Sequence, residues 1–199
     1  MKRMILLFLL ALALPMAAFA NNSVDFTNSG GTLTGSSAGL TLKGSTLIAM
    51  GSGGVLRTGN LGTIAFSTGA LSTGNLQQGA TFAAGGTFTI TGNGMNGVPN
   101  GPIFTGTFSG PVTWTLVTLA NGTNNYTLTG ALTGTWMGGG TVNGATVQLT
   151  INTGKGFFNG STSISSGDTS IVVPEPGSLT LLGTGLVGLA GIVRRKLKV

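Results

Sequence analysis

Asp25 and Asp168 are the two carboxylates in the central stretch 21–172 that could act as an acid–base pair, and they lie near its opposite ends. Glycoside hydrolysis needs two facing carboxylates. These two could meet only if the terminal strands of the stretch paired, and nothing in the sequence announces such pairing. Solvated aspartates in loops or at strand ends are therefore expected. Asp168, inside Ser166-Gly167-Asp168-Thr169, reads as turn chemistry. The chain has no histidine and no cysteine. That removes Ser-His-Asp triads, thiolate nucleophiles, redox pairs and nearly all zinc and iron sites.

Gly92-Asn93-Gly94-Met95-Asn96-Gly97 matches G-x-G-x-x-G after a strand-like run. A dinucleotide site would then need a helix and an acidic residue further on. Val98-Pro99-Asn100-Gly101-Pro102 forbids the helix and no acid lies nearby, so this is a loop. The clustered aspartates of a calcium loop are missing as well. No cofactor, no metal site and no enzymatic activity are expected. Trp114 and Trp136 are candidate glycan contacts, because aromatic rings offer flat apolar faces to sugars. With Tyr126 they also fall in phase with aliphatic residues, which favours packing in a core.

The elements that would carry these residues are strands. Glycine-rich runs such as Gly51-Ser52-Gly53-Gly54 and Gly138-Gly139-Gly140 disfavour helix. Period two is clear in Thr87–Thr91, in Val112, Trp114 and Leu116, in Tyr126, Leu128, Leu132 and Trp136, and in Ala145, Val147, Leu149 and Ile151. The opposite faces are rich in threonine, which still suits a strand. Strands are predicted near 24–27, 39–43, 46–50, 63–67, 80–83, 87–92, 103–108, 111–119, 125–136, 142–151 and 156–164. Asn121-Gly122 and Asn143-Gly144 predict hairpin turns, Gly85-Gly86 a further turn, and 96–102 a longer loop. The fold class is all-β, an antiparallel β-sandwich or barrel-like domain. A β-helix is the minority alternative, since the internal echoes repeat at no fixed period.

The formal net charge of +6 suggests a nucleic-acid ligand, but its location does not. Between residues 21 and 176 the bases Lys43, Arg57 and Lys155 balance the acids Asp25, Asp168 and Glu175. The excess sits at the two ends, so no basic patch steers toward phosphate and no nucleic-acid partner is expected. The first end reads as a signal peptide over 1–20: Lys2 and Arg3, an apolar run from Met4 to Leu14, then Ala18-Phe19-Ala20 with cleavage before Asn21. The Sec translocon and signal peptidase are its expected partners.

The other end, 173–199, begins Val173-Pro174-Glu175-Pro176-Gly177. It continues with an uncharged run from Ser178 to Val193, then Arg194, Arg195, Lys196 and Lys198. The prolines keep the box extended. As a helix the run spans roughly 24 Å, short of a bilayer core of ~30 Å. It is predicted as a transmembrane-like helix that anchors transiently in the inner membrane, as the N-terminal segment is predicted to be a signal helix. The basic cluster would stop transfer and stay inside, leaving the domain outside the cytoplasm.

Box, apolar run and basic tail in this order resemble the PEP-CTERM sorting signal of exported bacterial proteins. The resemblance implies an exosortase-like processing enzyme that cuts near the box. The expectation is a non-enzymatic protein of the cell surface, biofilm or extracellular matrix, associated with extracellular polysaccharide. The alternative is a glycan-binding module that uses exposed aromatics.

Overall fold

The computed structural model describes residues 23–173. The signal segment, its cleavage residues Ala18, Ala20 and Asn21, the box residues Pro174 to Gly177 and the basic tail lie outside the described residues, as do both predicted terminal helices.

Thirteen strands make up the described domain. They are β1 (Ser23–Ser29), β2 (Thr32–Ser36), β3 (Gly39–Ser52), β4 (Val55–Ser67), β5 (Leu71–Asn75), β6 (Gly79–Phe82), β7 (Gly85–Asn93), β8 (Asn100–Phe108), β9 (Val112–Thr118), β10 (Asn124–Trp136), β11 (Thr141–Asn152), β12 (Ser161–Ser163) and β13 (Ser166–Val172). Eight of them close a ring in the order β1, β3, β4, β7, β8, β10, β11, β13 and back to β1. All pairings are antiparallel, so the fold is a barrel and neither a sandwich nor a β-helix. Two flaps leave the ring. β9, β6 and β5 continue from the first half of β10, and β2 with β12 continues from the first half of β3.

The alternation read in the sequence sets the two faces. Apolar positions fill the barrel, with Phe66, Phe88, Phe104 and Phe108 packed ring to ring at centroid separations of 5.8 to 6.2 Å. Glycine makes room for them: a Cβ at Gly130 would sit 2.7 Å from the Phe108 ring, and one at Gly134 would sit 2.8 Å from that of Phe104. This explains why the inward parity of β10 is interrupted at those two positions. The outward positions carry mostly Thr, Ser, Asn and a few charged groups, with Ile48, Val55, Leu56, Val117 and Val172 as exposed apolar exceptions. A transmembrane barrel is apolar outside and polar within, so this one has the reverse polarity. Among the described residues no helix is long and apolar enough to cross a membrane.

Several local expectations fail for identifiable reasons. Asn143-Gly144 is a bulge inside β11, where the register with β10 shifts and Gly144 takes φ 81°. The turn moves to Met137-Gly138-Gly139. The segment 156–164 is mostly loop, with Gly154 just before it and Gly160 within it at positive φ, and with Phe158 as its buried anchor. The predicted strands 39–43 and 46–50 are one strand, β3, bulged between them.

Candidate functional site

The first and last strands of the domain pair with each other. In β1 and β13, Phe26 faces Thr169 inside the barrel, while Asp25 faces Ser170 and Thr27 faces Asp168 outside. Asp25 and Asp168 are thus diagonal neighbours on one exposed face, where such pairs stand roughly 7–8 Å apart. Neither occupies a loop or a strand end, and Asp168 is not in a turn. The sequence expectation is corrected on all three points. The Thr27 hydroxyl donates to Asp168 Oδ1 at 2.8 Å and fixes that carboxylate as an acceptor.

The same face extends across five strands. One row runs Thr113, Thr129, Gln148, Asp168, Thr27, and the next runs Ala131, Thr146, Ser170, Asp25. At ~4.8 Å per strand the longer row covers about 19 Å. The face is concave and forms a groove of about 660 Å³, lined by these residues other than Thr27, together with Pro111, Phe26, Gly130, Val147 and Thr169. Thr113 and Thr129 bond to each other through their hydroxyls. The lining includes both described carboxylates and no cation. Its floor is rigid, because each strand beneath it is paired on both sides. Such a surface offers acceptors, hydroxyls and one amide in fixed rows to a ligand rich in donors.

The aromatic candidates lie elsewhere. Trp114 is 1% exposed, stacks on Tyr126 at 5.0 Å and meets Phe158 at 5.4 Å. Its indole N–H donates to the Leu76 carbonyl at 2.9 Å. The Tyr126 hydroxyl donates to the Gln77 carbonyl at 2.7 Å and accepts the Phe158 amide at 3.1 Å. Trp114 is therefore the core of the β9 flap and has no face left for a sugar. Trp136 is half-buried, with its ring 6.2 Å from that of Phe26. The Gly92–Gly97 stretch begins as the end of β7 and continues as a loop that leads into β8, not into a helix. There Asn93 Oδ1 accepts the Met95 amide, and Asn96 Nδ2 donates to the Thr58 carbonyl. Gln148, Thr113, Thr129, Thr146 and Ser170 carry no sequence motif. Their one signal is polar parity on strands whose other parity is apolar.

Val172 is the last paired residue of β13, opposite Ser23, and Val173 packs against the core. At this point the chain passes from barrel to tail. Residues 172–196 match the PEP-CTERM protein-sorting motif. The motif implies an exported protein with a C-terminal sorting signal, handled by an exosortase-type enzyme. No curated protein and no solved structure shows a significant match to the chain. The PEP-CTERM match starts where the barrel ends, so no spacer separates the motif from β13.

Proposed function

We propose that this PEP-CTERM chain is a non-enzymatic component of the cell surface or extracellular matrix, released or modified at its C-terminus by an exosortase-type enzyme. The observation that carries this reading is the sorting motif fused directly to a polar-out barrel. The charges described on the barrel are few, Lys43, Arg57 and Lys155 against Asp25 and Asp168. A weakly charged, hydroxyl-covered surface gives little self-repulsion at high local concentration, which suits an assembled matrix. The two neighbouring carboxylates raise glycan hydrolysis as a competing reading. A glycosidase acid is enclosed by apolar groups, whereas Asp25 and Asp168 both stand exposed on an open face.

Mass spectrometry of the protein recovered from its own cells tests the sorting step. The C-terminus is expected within or beside Val173–Gly177. Recovery of the chain with Val199 in place, from cells with an active exosortase, ends the processing claim.

A further inference from the structure

The groove on the outer face of β9, β10, β11, β13 and β1 differs in charge from the rest of the described surface. Both described carboxylates line it, while Lys43, Arg57 and Lys155 do not. Its remaining polar groups are hydroxyls and the amide of Gln148. Carboxylates are acceptors only, an ammonium group is a donor only, and hydroxyls are both. The complementary ligand therefore presents ammonium groups among many hydroxyls. We propose that the groove binds a strand of amino-sugar polysaccharide, with Asp25 and Asp168 taking its ammonium groups and Gln148, Thr146 and Ser170 its hydroxyls.

The geometry favours a sugar polymer over a basic peptide. Extended peptides bind sheets by adding a strand to a free edge, and every strand under the groove is paired on both sides. A peptide is left with side-chain contacts alone. A polysaccharide needs no edge, and it can meet hydroxyl rows that recur every ~4.8 Å across the strands. A calcium ion is a poor fit, since it takes six to eight oxygens. Among the described residues no three His, Cys, Asp or Glu side chains come together. The volume of about 660 Å³ falls in the range of ligand sites.

This deepens the matrix reading and can fail without it, because C-terminal processing is measured separately. The test is calorimetric titration of the full chain, held in a detergent without a sugar headgroup, with glucosamine hexasaccharide. Binding is expected, weakening as salt rises because exposed charges are screened. The fully N-acetylated hexasaccharide, which lacks the ammonium groups, should bind severalfold more weakly. Asp25→Asn and Asp168→Asn should each weaken binding by about three- to fivefold, with thermal unfolding unchanged. Ser170→Arg, which puts a cation in the same row, is an independent probe and should weaken it further. Equal binding of the acetylated oligomer, unchanged binding in these variants, tighter binding of hexalysine, loss of binding with a chelator, shortening of the oligomer or no binding at all would each overturn the proposal.

Discussion

The two faces of the β11–β13–β1 wall are built from alternate residues of the same strands, yet they do opposite work. Phe26 lies between Asp25 and Thr27, and Thr169 between Asp168 and Ser170. Inward, Val24, Phe26, Val147, Leu149 and Ile171 are held by shape in a filled core. Outward, Asp25, Gln148 and Thr146 are placed by backbone register, and Asp168 adds one side-chain bond, from the Thr27 hydroxyl. The inner face is thus constrained in volume but chemically plain. The outer face is free in volume and is where chemistry can change without cost to the fold.

Three substitutions can break or sharpen that contrast. The largest effect is expected inside: Phe26→Ala removes a ring that is 1% exposed. It should cost about 3–5 kcal/mol and lower the melting temperature by roughly 10 °C. A loss under about 1 kcal/mol would mean that the inner face is loosely packed. Next is Thr169→Val. The Thr169 hydroxyl is buried among the described residues without a hydrogen-bond partner. Replacing it with a methyl of similar shape should raise stability by up to about 1 kcal/mol, read as a rise in denaturation midpoint. A fall would reveal a partner for the hydroxyl and make the inner face less plain than described. The smallest effect is expected outside, where Asp25→Asn should move stability by no more than about 0.5 kcal/mol. A larger loss in chemical denaturation would show that the outer face also holds the barrel together.

The strong alternation of β7, β10 and β11 made their existence and facing legible from sequence. Even the gaps at Gly130 and Gly134 had a reason, now visible as space for Phe108 and Phe104. β13 was not legible. Two of its inward positions are Gly167 and Thr169, so only Ile171 signals an apolar face. Gly167 is small because the buried Asn28 side chain fills the space beside it, where Asn28 donates to Ser45 Oγ at 2.7 Å. Without β13 the pairing of Asp25 with its neighbours could not be inferred, since that contact joins residues from the two ends of the domain. β2 and β5 were not legible for a related reason, each being five residues of hydroxyls, glycine and a single leucine, with Asn75 closing β5. The candidate groove inherits the blindness, because its residues become neighbours only through long-range register. The tail was legible because a sorting signal is read as linear sequence, independent of any fold.

The β1–β13 pairing also sets a schedule. A chain delivered amino end first presents β1 early, and β1 can settle against β3 at once. The slot between β1 and β11 stays vacant until Ser166–Val172 arrives, so two strand edges remain unzipped until the final moment. Unzipped edges invite strands from other copies. The residues next in line are those of the sorting motif. The barrel therefore closes on the very strand that abuts the sorting motif, and its two open edges find their partners last of all.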